Sequence, residues 1–337
     1  MQTLKDLKEQ FYNDSNAISL TFIENYSLRF DKAFEHLSEP LLRWQDFVLR
    51  YIPPKPRGLF FSKEIIEKLS LPDMDALKKL IFMMQNGEDI NSCQSKGLTI
   101  NNDISSNRRD KRTDGLWAEW GIHHLHVEIN KSKPTDYYTK RSDWLLFIMV
   151  FDNAILLIDI KSHQEPLKFS DPELLSIIYK NWPSVLSPYE IKGVLPPEKN
   201  WTSSEIGKLR RGGLSTYFAI DGKVFMGPNM GVTTASTPTI VTLTRDKIID
   251  SCSSLAEMTF NSAGQFKKEM AIKGILNPIF CLSLTPKGLA VYKLKANVAF
   301  VLPRHDRVNE KNYITFLNEH LAPEWAVKKI NSSFKEG

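Results

Sequence analysis

From Trp144 to Ile158 the chain is apolar except for Asp152-Asn153. The run falls short of the roughly 20 apolar residues that span a bilayer, and its polar break sits where a hairpin needs a turn. Trp144 to Phe151 therefore reads as a strand, and Ala154 to His163 as its antiparallel partner. Residues two apart on a strand point the same way, so Asp159, Lys161 and His163 share one face of the returning strand.

The rest of the chain is organised around this hairpin. Up to residue 86 apolar residues recur at helical spacing, as in Leu4, Leu7 and Phe11 or Leu77, Leu80 and Ile81, which predicts an N-terminal helical region over 1–86. Residues 87–113 lack core-forming periodicity, end in Arg108-Arg109-Asp110-Lys111-Arg112, and read as a long polar and basic loop or linker. A central antiparallel-sheet core is expected over 114–182. A C-terminal module of helices and hairpins follows over 200–337, with Thr202 to Glu205 as a capping box and Asp221-Gly222 as a hairpin turn. The expected class is α+β: a helical start, a small twisted antiparallel sheet in the middle and a mixed α+β end. At 337 residues, 42% hydrophobic and 25% charged, the chain has the composition of a globular protein of about two domains, which argues against disorder, collagen-like and disulfide-scaffold classes.

The chemistry concentrates beside the hairpin. Gly121 to Ile129 alternates, with His124, His126 and Glu128 on one face and Leu125, Val127 and Ile129 on the other. Four of the seven histidines, His123, His124, His126 and His163, fall within 41 positions. A single strand histidine is usually just a solvated or hydrogen-bonded residue, but two alternating histidines facing Asp, Lys and His describe a cleft wall as readily as a surface. Three chemistries could use such a set. Metal-independent RNA cleavage needs a base, an acid and cations, for which His, Lys140, Arg141 and Lys161 are suited. Mg²⁺-dependent phosphodiester hydrolysis needs carboxylates and a lysine. A zinc hydrolase on His124 and His126 has the least support, because His-x-His on a strand is a weak signal.

Two family resemblances touch these residues. Gly115 to Trp120, then Arg141-Ser142-Asp143-Trp144-Leu145-Leu146-Phe147, a turn, a second apolar strand and His163 resemble the core of RelE/ParE/HigB-type toxins over residues 115–165. That resemblance implies a small twisted antiparallel sheet, with 115–120 as a strand, and a metal-independent endoribonuclease. His124, His126, Arg141, Lys161 and His163 would form its catalytic set. The chain departs from those toxins in its large flanking regions. Asp143, a 15-residue hairpin and Asp159-Ile160-Lys161 also resemble PD-(D/E)xK nucleases, with Glu119 or Glu128 upstream. This second resemblance implies Mg²⁺ held by Asp143 and Asp159, with Glu128 as a further acid and Lys161 activating water.

The favoured reading is a toxin-like nuclease effector, as in toxin–antitoxin or phage-defence systems, that cleaves RNA with no cofactor. The alternatives are the Mg²⁺-dependent nuclease and a non-catalytic defence or partner-binding protein. Forty-four Lys and Arg against 39 Asp and Glu give +5, so the grouping of cations matters more than their number. Arg108, Arg109, Lys111 and Arg112 form one candidate nucleic-acid surface, and Lys208, Arg210 and Arg211 another. The expected partner is nucleic acid, RNA in preference to DNA, with room for an inhibitory protein or nucleic acid and no membrane. Three scattered cysteines, Cys93, Cys252 and Cys281, and no apolar leader point to the cytoplasm.

Overall fold

The computed structural model describes residues 2–68, 75–261, 264–275, 278–293, 298–304 and 312–333. In chain order the elements are α1 (Leu4–Asn25), α2 (Pro40–Arg50), β1 (Gly58–Phe61), α3 (Lys63–Lys68), α4 (Asp75–Asn86), α5 (Gly115–Trp120) and β2 (Ile122–His126). They continue with β3 (Trp144–Val150), β4 (Ala154–Ser162), α6 (Glu173–Asn181), α7 (Pro183–Leu186), α8 (Ser203–Arg211), β5 (Tyr217–Ile220) and β6 (Lys223–Met226). The last are α9 (Thr239–Phe260), α10 (Gln265–Ile272), β7 (Phe280–Thr285), β8 (Gly288–Lys293), β9 (Val298–Val301), α11 (Tyr313–His320) and α12 (Glu324–Ser333). The fold class is α+β, with helices at the N-terminus and a sheet with helices at the C-terminus.

Two compact units divide the chain along lines other than those expected: 49–240 forms one, and 1–48 with 241–337 the other. The start of the chain belongs with its end because α1 packs on the C-terminal sheet. Gln2 exchanges two hydrogen bonds with the backbone of Phe280, at 3.1 and 3.0 Å, and the Asp14 carboxylate accepts the Leu282 N–H at 2.7 Å. Such contacts join residues nearly three hundred positions apart, and helical periodicity carries no trace of them. In this discontinuous unit β7, β8 and β9 form an antiparallel sheet.

In the 49–240 unit the central sheet has the order β1-β4-β3-β2. The hairpin of β3 and β4 forms as read, because two β-branched and aliphatic runs flank a tight turn, and β2 adds to it antiparallel. The fourth strand differs from expectation. β1 lies within the stretch read as wholly helical and pairs with β4 in parallel, so the sheet is mixed. Four residues are too few for any period to register. A second difference is α5: Gly115 to Trp120 is a helix and not a strand. Asp114 caps its N-terminus, accepting the N–H groups of Leu116 and Trp117, and Gly121 ends it in the left-handed region at φ 70°.

Both sheet faces are covered. Leu145, Phe147, Met149 and Ile158 pack with Leu116, Trp120, α6, α7 and Phe225. Leu125, Leu146, Ile148 and Ile160 pack with Ile65, Leu77, Leu80 and Met84 of α3 and α4. Each such side chain contributes roughly 1.5–3 kcal/mol on burial. The apolar cover ends at the strand ends nearest His126 and His163, which is where a site can open. The Asp221-Gly222 turn forms as expected, both residues having positive φ (50° and 74°), as a type I′ hairpin requires. No helix among the described residues is long and apolar enough to cross a membrane.

Candidate active site

A cleft of about 770 Å³ opens at that end of the sheet. His124, His126 and His163 line it together with Arg141, so four of the five residues read as catalytic meet there. Strand register brings them together. His124 stands opposite Phe147 and His126 opposite Leu145. His163 lies just past β4, where its N–H donates to the Asp143 carbonyl at 2.7 Å. The His126 and His163 rings stack at 5.7 Å between centroids, with an 18° interplanar angle. Lys168 holds the loop after β4 in shape by donating to the carbonyls of His163 and Glu165 at 2.8 and 2.9 Å.

Asp114 and Phe169 complete the surroundings of His124, and the sequence reading named neither. Asp114 Oδ2 lies 3.4 Å from His124 Nδ1, while the same carboxylate caps α5. The Phe169 ring packs on the imidazole at 4.8 Å. Had 115–120 been recognised as a helix, Asp114 would have stood out as its N-cap, pointing back at the strand the helix runs into.

Burial and neighbouring cations favour the neutral form of His123, His124 and His126. Burial pushes the His126 pKa down to about 4, with the neighbouring His124, His163 and Arg141 acting the same way. His124 is also shifted down, by burial first. Asp114 opposes that shift, and Arg50, His163 and Lys168 add to it. Burial raises the Asp114 carboxyl, but His124, Arg50 and the capped N–H groups together take it below its ordinary value. His123 points away from the cleft into the protein, 8% exposed, and burial drops its pKa to about 3. A neutral imidazole carries one proton. His124 Nδ1 lies 3.4 Å from the Asp114 carboxylate without completing a hydrogen bond, and the tautomer that suits it has its proton there and Nε2 as an acceptor; with Nδ1 3.5 Å from the Ser142 N–H, the tautomer that suits His126 has its proton on Nε2.

Lys161 is not in this cleft. It is 5% exposed and its Nζ reaches Asp171 at 2.7 Å, Glu173 at 3.2 Å, Glu165 at 3.3 Å and Asp159 at 3.9 Å. Burial alone would lower its pKa, but the hydrogen bond and charge of Asp171, with Glu165 and Glu173, raise it above the ordinary lysine value. The metal-dependent set does not converge either. Asp159 pairs with Lys68 at 2.6 Å, and Glu128 accepts the N–H groups of Ile129 and Asn130 at 2.8 Å each, while the exposed Asp143 lies outside the cleft lining. Among the described residues no group of three or more His, Cys, Asp or Glu is arranged to hold a metal ion.

The two basic runs sort by residue. Lys111, Arg210 and Arg211 line the cleft, joined by Lys140 and Lys96. Counting Arg141, six cations there face two carboxylates, Asp110 and Asp114, an excess of four in a chain whose whole excess is five. Arg210 is fixed: Nε donates to Glu119 at 2.5 Å, Nη1 to the Phe169 carbonyl, and the guanidinium lies 4.1 Å over the Trp120 ring. Glu119 in turn accepts the Thr216 N–H, so it anchors a cation and is not free to take a metal. Arg112 is 3% exposed and donates to the carbonyls of Ser106 and Ala235, which makes it a clamp on the loop and not a surface cation. Arg108 is exposed and paired with Asp110 at 2.7 Å, and Lys208 is exposed outside the cleft. No family model, curated protein or solved structure matches the chain.

Proposed function

We propose that this chain is a toxin-like nuclease effector of the cytoplasm that cleaves RNA in the histidine cleft without a metal ion. The observation that carries the reading is the meeting of His124, His126 and His163 in a cleft where cations outnumber carboxylates six to two. In the proposed step His124 Nε2 takes the proton of a 2′-hydroxyl, with Asp114 steadying the imidazolium that forms. The 2′-oxygen bonds to phosphorus and the bond from phosphorus to the 5′-oxygen breaks. His163, as the general acid, gives a proton to the leaving 5′-oxygen, and the products are a 2′,3′-cyclic phosphate and a 5′-hydroxyl. His126 Nε2–H and Arg141 offset the charge that builds on the phosphorane oxygens. An effector of this kind calls for an inhibitory partner, protein or nucleic acid.

The Mg²⁺-dependent alternative has less support, because Asp159, Lys161 and Glu128 have their polar atoms engaged with Lys68, with acidic neighbours and with backbone N–H groups. Incubation of the purified chain with labelled RNA and DNA, with and without EDTA, tests the reading. Cleavage of RNA alone, unaffected by EDTA and leaving cyclic-phosphate ends, is expected. EDTA-sensitive cleavage of DNA would overturn it in favour of the metal-dependent mechanism, and no cleavage of either would leave the partner-binding protein.

A further inference from the structure

Beside the histidine cleft lies a second, smaller cavity of about 120 Å³ that shares Arg210 and Arg211 with it and adds Arg109 and Ser236. Two residues of its lining each hold a buried polar atom with no hydrogen-bond partner among the described residues. Ser236 is 5% exposed and sits in the left-handed region at φ 58°, and its hydroxyl has no hydrogen-bond partner among the described residues. Arg210 Nη2 is likewise buried and unpartnered, although Nε and Nη1 of the same side chain are engaged. Buried donors are nearly always satisfied, so two of them in residues that line one cavity point to an acceptor that a small shift of these side chains would admit.

The charges agree on what that acceptor is. Arg109 and Arg211 form no ion pair among the described residues, and the two carboxylates at the wall are taken, Asp110 by Arg108 and Glu119 by Arg210. Gly213, at φ 77°, brings the two close: a Cβ there would lie 3.0 Å from Ser236 Oγ and 4.0 Å from Arg109 Nη1, so the hydroxyl and the guanidinium flank the same glycine. The volume is below the roughly 300 Å³ at which pockets begin to hold whole small molecules, but it accepts one tetrahedral group. Guanidinium forks and a hydroxyl are the donors that recognise phosphate.

We infer that this cavity is a phosphate subsite, formed by Arg109, Arg210, Arg211 and Ser236. It takes a non-reacting phosphate of the strand whose scissile bond lies at the histidines, an assignment that rests on the nuclease reading. The subsite itself is tested without cleavage, by calorimetric titration of the full chain with inorganic phosphate. One-to-one binding is expected, weakened roughly ten-fold or more in Arg211→Gln and in Ser236→Ala, and unchanged in His124→Ala. Thermal melting of each variant checks that it is folded; the exposed Arg211 keeps the test valid if Ser236→Ala is not. A 2′-O-methyl oligoribonucleotide, which lacks the nucleophile, should displace the phosphate. Absence of phosphate binding, or equal affinity in wild type and Arg211→Gln, would overturn the subsite. Simultaneous binding of phosphate and oligonucleotide would overturn its assignment to a strand. Failure of RNA cleavage with phosphate binding intact would count against the nuclease reading alone.

Discussion

His126 and Lys161 stand in one row across the sheet, both opposite Leu145, on either side of it. Around Lys161 the fold supplies Asp171, Glu173 and Glu165, so the buried ammonium is neutralised and enclosed. Around His126 it supplies another imidazole, a backbone N–H and open space lined with cations. A polar residue on a strand becomes part of a site only where the surrounding chain declines to satisfy it. The same sheet face therefore carries a closed electrostatic knot and an open cleft, and the difference lies in what the loop and helix after β4 bring to each.

The strongest test of this contrast is His124→Ala. RNA cleavage should fall by about 10²–10⁴-fold, the usual contribution of a general base, with little change in the urea unfolding midpoint. Activity within three-fold of wild type would remove His124 from the mechanism. Lys161→Met should behave in the opposite way, losing about 3 kcal/mol of stability because Asp159 and its neighbours keep their charge without their cation, while the folded protein still cleaves. Loss of cleavage at wild-type stability would instead return Lys161 to the site and revive the metal-dependent arrangement.

pH should separate the two regions further. His123 and His126 have folded pKa values near 3 and 4, below the unfolded value of about 6.5, so the unfolded chain binds more protons in between. Their contribution is complete above the unfolded pKa and is lost as the pH falls from there toward 4, by at most about 1.4 kcal/mol per pH unit for each group. Lys161 is raised above its ordinary value, so its contribution is present below about pH 10.5 and lost above it. Urea unfolding at pH 7, 5 and about 11.5, repeated on Lys161→Met, should show the acid loss kept and the alkaline loss reduced, the remainder coming from buried groups such as Tyr51 and Cys252 whose pKa values burial also raises. The smallest expected effect is that of Lys140→Gln at the cleft rim, which should weaken RNA binding a few-fold and lower the slope of log affinity against log salt by about one. An unchanged slope would place Lys140 off the path of the strand.

Much of the sheet was legible because its signals are local. The apolar runs of β3 and β4 with their Asp152-Asn153 turn, the alternation from Gly121 to Ile129, and the Asp221-Gly222 hairpin each declare themselves within a dozen residues. α5 was misread because Leu116, Trp117, Ala118 and Trp120 are apolar on nearly every side, and a short buried helix of that kind has no period to distinguish it from a strand. Only its caps, Asp114 and Gly121, carried the distinction. The basic run 108–112 was read as one surface, yet Arg112 is a buried clamp, Arg108 is paired and Arg109 faces the smaller cavity. Composition cannot say which of several adjacent arginines finds a carbonyl, a carboxylate or nothing.

The sequence by itself determined the α+β class, the central hairpin and the strand alternation that aligns His124 with His126, because hydrophobic period and turn chemistry act over a few residues. Only the tertiary structure decided that the chain's start belongs with its end, that Asp114 meets His124, that Lys161 is enclosed by acids, and that Ser236 is left without a partner beside three arginines. Those outcomes depend on which charges and donors are desolvated together. Desolvation is a property of packed surfaces far apart in the chain, which no local pattern records.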